Sequence, residues 1–231
     1  RGGESICDPG SQTGNQHDPH RYALWGGEGL IETGVVASFA RPGGNITGIN
    51  MLSAELDAKR FELLLEALPN ARQVAVLDRA NGSPLTQVYE AARTAGIPLY
   101  VTDPPGPEGY DRGFDAMVKA RVDAVLVPSS PRFYYEHQRI IEAAAKRRIP
   151  AMYEWGEIAR DGGLMAYGPV YAGLTRRVAN YVDRILKGAN PGDLPIEQPT
   201  KFEFVVNLKT AKVLGVTIPE SILVRADEVI R

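Results

Sequence analysis

The sequence predicts an α/β fold, an open parallel sheet with helices on both faces, and three observations predict it. Short β-favouring runs occur at Gln73-Val-Ala-Val-Leu-Asp78, Pro98-Leu-Tyr-Val-Thr102, Ala124-Val-Leu-Val127 and Pro150-Ala-Met-Tyr153, starting about every 25 residues. Each interval leaves room for one helix, as a βαβ unit needs. The runs are nearly continuous in apolar residues, which suits parallel strands covered on both faces better than a half-exposed sheet.

Taken in order, each helix has a readable stripe and ends. Ser53 reads as a cap with Glu55 and Asp57 in the first turn, followed by Phe61, Leu64, Leu65 and Leu68 on one face. Ser83-Pro84 reads as a cap with proline at the first helical position, and Gly96 closes that helix. Tyr110, Phe114, Met117 and Val118 fall at i, i+4, i+7 and i+8. Ile140, Ile141, Ala144 and Ala145 precede Lys146-Arg147-Arg148, cations suited to a helix C-terminus. Leu174, Val178, Tyr181, Val182 and Ile185 mark a long helix ended near Gly188. Phe202-Glu-Phe-Val-Val206 reads as a further strand, and Leu208 to Leu214 as a short helix before Gly215. Both Lys146-Arg147-Arg148 and Arg176-Arg177 read as solvated faces.

Arg1 to about Leu30 has no such pattern. This head is rich in Gly, Pro, Asn, His and Asp without apolar periodicity, and reads as loop or disorder. It lacks the apolar core of a signal peptide. A net charge of -2 gives no signal for nucleic acid, which demands a basic excess on one face. No apolar run approaches the roughly 20 residues that span a bilayer. The single Cys7 excludes an intrachain disulfide and stands outside any metal-ligand spacing.

Ligands of open parallel sheets bind beyond the carboxyl ends of the strands. Those ends supply Asp78-Arg-Ala-Asn81, Thr102-Asp103, Pro128-Ser-Ser130 and Tyr153-Glu154-Trp155. Hydroxyls, an amide, carboxylates and rings suit a small polar or amphipathic ligand. Taken singly, each of these residues is as well explained by capping the next helix or forming a turn. Catalysis finds little support. There is no Gly-x-Ser-x-Gly elbow, and His17, His20 and His137 supply no triad partner. His137 reads as a half-buried structural histidine. His17-Asp18-Pro19-His20 lacks further metal ligands. No nucleotide-binding glycine motif follows a strand, and Arg41-Pro42-Gly43-Gly44-Asn45 reads as a crossing or turn. Neither cofactor nor metal is expected.

One long segment is familiar. Ile31-Glu-Thr-Gly-Val-Val-Ala-Ser-Phe-Ala-Arg-Pro-Gly-Gly-Asn-Ile-Thr-Gly48 resembles the substrate-binding proteins of bacterial ABC importers, in the group related to tryptophan and tyrosine uptake. The resemblance runs on through Ala58-Lys59-Arg60, Met152-Tyr153-Glu154-Trp155, Gly162-Gly-Leu-Met165, Arg184-Ile-Leu-Lys-Gly188, Gln198-Pro-Thr-Lys-Phe202 and Asn207-Leu-Lys-Thr-Ala-Lys212, and covers Ile31 to Arg231. It implies a receptor of the periplasmic-binding-protein type I class, periplasmic or otherwise extracytoplasmic, that closes by hinge motion on a small solute and serves an ABC permease. Residues 31–52 would be the remnant of the amino-terminal lobe and the first crossing. Residues 53–160 would form the carboxyl-terminal lobe, and residues 161–231 the recrossing segments with a helix and a terminal strand and helix. By position in the pattern Asn81, Ser83, Ser129, Ser130, Tyr153 and Glu154 would face the interlobe cleft. Many members carry an acidic residue where Ser129 or Ser130 stands, and this chain departs from them there.

The family also carries an amino-terminal lobe of roughly a hundred residues, an ordinary domain size, ahead of Ile31. Residues 1–30 do not match it. Codons such as CAC-GAT-CCC-CAT-CGN for His17 to Arg21, read one base later, would yield a Thr-Ile-Pro-Ile stretch that suits the family at that distance. The head is expected to be either an out-of-frame translation of the lost lobe's end or a divergent tail, and the chain either a solute-binding subunit or a truncated, non-functional fragment of one. Such a fragment would expose an apolar lobe face and self-associate through it; lacking a signal peptide, it would stay in the cytoplasm. Two other readings remain: a stand-alone flavodoxin-like α/β domain with an enzymatic role, and a protein-interaction domain.

Overall fold

The computed structural model describes residues 21–25, 30–31, 33–78 and 85–231. The chain forms two compact units: a larger one of Leu52–Tyr171 and Thr200–Arg231, and a smaller one whose described residues lie within Arg1–Trp25, Gly29–Met51 and Ala172–Pro199.

In the smaller unit, β1 (Arg21–Trp25) pairs in parallel with β2 (Ile46–Asn50). The head expected to be loop thus contains a strand. Its sequence, Arg-Tyr-Ala-Leu-Trp, is short and follows a Gly- and Asp-rich stretch, so composition masks it; a partner strand 25 positions on in the pairing supplies the ladder. Leu30, Val36 and Ile196 form one small core with Val35, Phe39 and Ile46 against them. Tyr181, Ile185 and Leu194 form another. Tyr181 and Ile185 come from α7 (Tyr171–Leu186), the long helix that its stripe predicted. The buried Thr47 hydroxyl donates to the Leu194 carbonyl at 2.7 Å, and the Tyr181 phenol donates to the Pro195 carbonyl at 2.5 Å.

The larger unit is built on one seven-stranded sheet. Its strands are β3 (Val74–Leu77), β4 (Leu99–Thr102), β5 (Ala124–Leu126), β6 (Ala151–Tyr153), β7 (Met165–Pro169), β8 (Phe202–Asn207) and β9 (Glu228–Ile230), in the order β4-β3-β5-β6-β7-β8-β9. All neighbours are parallel except β7 and β8. The expected open sheet is therefore mostly, not wholly, parallel. The four apolar runs are β3 to β6, and β3, β5 and β6 are buried throughout. β4 is only half covered because it is the sheet's edge. β7 and β9 extend the sheet past residue 160, where the sequence placed the lobe's end. Met-Ala-Tyr-Gly-Pro has no β-branched residue, so β7 is defined by pairing with β6 and β8 and not by propensity.

The helices are α1 (Ser53–Ala67), α2 (Thr86–Ala95), α3 (Gly109–Lys119), α4 (Pro131–Tyr135), α5 (His137–Arg147), α6 (Gly156–Arg160), α8 (Leu208–Leu214) and α9 (Glu220–Leu223). α1 packs against β5, β6 and β7 and buries Phe61, Leu63 and Leu64 with Val74, Val76, Leu126, Met152 and Met165 in the main core. Gly96 and Gly215 close α2 and α8 in the left-handed conformation that glycine tolerates. Ser53 is not the cap it resembles: the preceding Leu52 takes a left-handed turn (φ 54°), which moves Ser53 into the first helical turn. Arg147 departs from the solvated reading as well. Its side chain is 7% exposed and bonds Asp115 at 2.9 Å and Asp111, tying α5 to α3.

Burial has a readable consequence at high pH. The Tyr181 phenol is pushed up to about 12 by burial first and by the negative charge of Glu197 second. Burial also raises Tyr153, and burial with the Glu136 hydrogen bond raises Tyr110. An unfolded tyrosine ionises near 10. Above that the unfolded chain releases protons that the folded one retains, so stability is complete below about pH 10 and falls as pH rises through the folded values. Melting temperature is expected to drop from about pH 10 upward, with Tyr153→Phe flattening the slope.

Candidate functional site

The order β4-β3-β5-β6-β7 reverses direction between β3 and β5, and the crevice beyond the carboxyl ends of two such strands is where open α/β sheets take ligands. Asn81 and Ser83, expected on the β3 side, lie outside the described residues. On the β5 side stand Ser129 and Ser130, both half-buried.

Ser129 is tied down on three sides. Its backbone N–H donates to Asp57 Oδ1 at 3.0 Å, its hydroxyl donates to Glu154 Oε1 at 2.6 Å, and it accepts from the Ser53 hydroxyl at 3.1 Å. Asp57 in turn accepts from Arg60 Nη1 at 2.6 Å, and Arg60 Nε donates to the Tyr167 carbonyl at 2.6 Å. Arg60 Nη2 stands 3.7 Å from Glu154 Oε1. Asp57 and Arg60 are fully buried and Glu154 is 5% exposed. Charges are placed this deep only when paired and hydrogen-bonded, because the interior does not replace their hydration. Gly168 of β7 completes the packing: a Cβ there would collide with the Glu154 carbonyl and approach Arg60 Nη2 at 3.3 Å.

Ser130 is different. It precedes α4 in extended conformation, the position where serine ordinarily caps, yet its side chain makes no capping bond. No hydrogen-bond partner for its hydroxyl is present among the described residues. The capping explanation, which was the plain alternative for this residue, does not hold.

The helix that Ser130 precedes contributes to a cluster of rings. Tyr134 of α4 stacks on Tyr171 with centroids 5.3 Å apart and 22° between planes. Trp155, at the end of β6, meets Tyr171 edge-on at 5.1 Å and Tyr134 at 6.1 Å. Trp155 is buried, Tyr134 and Tyr171 are half-buried, and Tyr135 next to them is 81% exposed. His137 is held in place by its neighbours: Nδ1 lies 2.5 Å from the Tyr134 carbonyl and Nε2 3.0 Å from Asp161.

Of the six residues expected at the site, then, Ser129, Ser130 and Glu154 come together. Tyr153 does not join them. Alternation along β6 sends Met152 and Glu154 toward α1 and turns Tyr153 into the opposite layer, where it lines a small cavity with Ile141, Ala144 and Leu214 and is 1% exposed. Sequence reasoning passed over Asp57 and Arg60, although both were legible: with Phe61 and Leu64 they occupy i, i+3, i+4 and i+7, one helix face. Tyr134 and Tyr171 carried no sequence signal, since each is brought in by tertiary packing. Asp103, at the end of β4, is bound by Arg132 at 2.9 Å. Among the described residues no three or more His, Cys, Asp or Glu side chains are placed to hold a metal ion.

Polar and aromatic side chains gathered beyond the strand ends of an open α/β sheet with a strand-order switch form an arrangement suited to binding a small ligand. The match to known proteins makes this specific. The model of the family described as ABC transporter substrate binding protein matches residues 24–230, and the chain belongs to that family. The match begins inside β1, earlier than the resemblance at Ile31 suggested. A tyrosine-binding protein of Clostridioides difficile is 22% identical over 189 residues, covering 80% of this chain and 54% of the relative. The chain thus spans about half the length of that relative. A domain in complex with L-Trp from Streptococcus pneumonia is 25% identical with a TM-score of 0.76, over 90% of this chain and 73% of the other. A conserved domain protein of Vibrio cholerae is 24% identical with a TM-score of 0.75, over 87% of this chain and 68% of the other.

Proposed function

We propose that this chain is the solute-binding part of an ABC importer, extracytoplasmic and non-enzymatic, that takes a small amphipathic solute and delivers it to a membrane permease. The observation that carries this reading is the site itself: Ser130, whose hydroxyl makes no capping bond, follows β5 at the switch point of the sheet, and the helix it precedes carries Tyr134 into a cluster with Trp155 and Tyr171. The hydroxyl would take a polar group of the solute, and the rings would cover an apolar or planar part. L-Tryptophan and L-tyrosine are the first solutes to test, because the relatives named above are described with them. The strand order alone also suits a flavodoxin-like enzyme; the family match favours the binder.

Calorimetric titration with both amino acids, and with alanine and glutamate as controls, tests the proposal. Saturating binding by at least one aromatic amino acid is expected, with a stabilisation of about 2.7 kcal/mol at a hundredfold excess over Kd. Heats indistinguishable from buffer for all four would remove it.

A further inference from the structure

We infer that Arg60 is a positioning residue for the Ser129–Ser130 turn: through Asp57 and Glu154 it turns Ser129 inward and leaves Ser130 as the hydroxyl presented to solute. The inference rests on the solute-binding reading for its last clause and on geometry for the rest. Both the N–H and the O–H of Ser129 are bound by carboxylates, Asp57 at 3.0 Å and Glu154 at 2.6 Å. One guanidinium serves both carboxylates, bonding Asp57 at 2.6 Å and standing 3.7 Å from Glu154. Its third edge is fixed to the Tyr167 carbonyl of β7 at 2.6 Å, so the group cannot drift along the helix. The Ser129 turn is therefore anchored to α1, β6 and β7 together, through the rigid planar fork that arginine supplies and lysine does not.

This anchoring has a direct effect on the next residue. With Ser129 held by both polar groups, the chain leaves it extended at Ser130 and enters α4 at Pro131. Among the described residues the Ser130 hydroxyl makes no capping bond, and α4 carries Tyr134 to its stack on Tyr171. Ser129 is thus a framework residue, and the two adjacent serines have separate roles that their sequence does not distinguish.

Amide hydrogen exchange and calorimetry on the full chain test this together. Arg60→Lys and Asp57→Asn are each expected to speed exchange at the Ser129 amide about tenfold or more, the scale of one lost charge-assisted hydrogen bond. The Val127 amide, bound to the Met152 carbonyl at 2.9 Å, serves as the reference for global opening, and the effect at Ser129 is read as the acceleration in excess of any change there. Ser130→Ala should leave both rates and the melting temperature unchanged while weakening binding of L-tryptophan or L-tyrosine about tenfold. Asp57→Asn should weaken the same binding and also lower the melting temperature, since it strips the buried Arg60 of its 2.6 Å partner. Wild-type exchange at Ser129 in both Arg60→Lys and Asp57→Asn overturns the positioning role, as does Ser130→Ala binding that equals wild type. Should the wild-type protein bind neither amino acid, the solute reading fails by itself, and the exchange rates still decide what holds the turn.

Discussion

Replacing Arg60 with methionine is expected to destabilise the larger unit by about 3–5 kcal/mol, the cost of stripping the partner from buried charge. Whole domains are stable by only about 5–15 kcal/mol, so the variant should approach global unfolding. The cause is electrostatic and not steric, since methionine matches much of the arginine stem. Asp57, fully buried, would lose its 2.6 Å partner, and Glu154 would lose the cation 3.7 Å away. Chemical denaturation should show the midpoint falling at unchanged slope. Removing the charges together distinguishes this from a packing defect. An Arg60→Met, Asp57→Leu, Glu154→Met protein should regain most of the lost stability, because a well-packed apolar replacement of a buried ionic group is often neutral or better. It should nevertheless fail to hold Ser129, whose N–H and O–H would both have lost their acceptors. Equal destabilisation of the single and the triple variant would rule out charge as the cause.

Gly168→Ala is the second large effect, and here one methyl group is the whole perturbation. The added carbon would lie inside the contact radius of the Glu154 carbonyl oxygen, with Arg60 Nη2 behind it. Neither neighbour can retreat. The oxygen is main chain between β6 and α6, and the guanidinium is fixed by Asp57 and Tyr167. β7 itself is clamped between β6 and β8. Overpacking in such a place costs about 1–3 kcal/mol and sometimes more; this site should fall at the upper end. Gly173→Ala, where a Cβ meets nothing within 4 Å, provides the matched control and should be stable. A Gly168→Ala protein that melts with wild type would mean that β7 can move away from Glu154.

The fold was legible where periodicity reports burial on a single face. β3, β5 and β6 are short apolar runs because both their faces are covered, and the helices between them show stripes because only one of theirs is. β1, β7 and β9 were not legible. Arg-Tyr-Ala-Leu-Trp and Met-Ala-Tyr-Gly-Pro become strands because neighbours offer them a ladder, and Glu-Val-Ile is too short to show a period. The site divides in the same way. Position in the family pattern named Ser129, Ser130 and Glu154, which the fold gathers at one strand end, and also Tyr153, which a two-residue period places on the far face.

By itself, the sequence determined the α/β class, the core strands and most helices, because hydrophobic period is a local property written in consecutive residues. It also carried the family, through motifs spread over most of its length. Only the tertiary structure decided which polar residues act together. Asp57 and Arg60 are a helix turn apart, yet their partners Ser129, Glu154 and Tyr167 are from 72 to 107 residues away. Such pairings are fixed when strands stack side by side and the interior leaves each charge no other partner, and no local pattern records them.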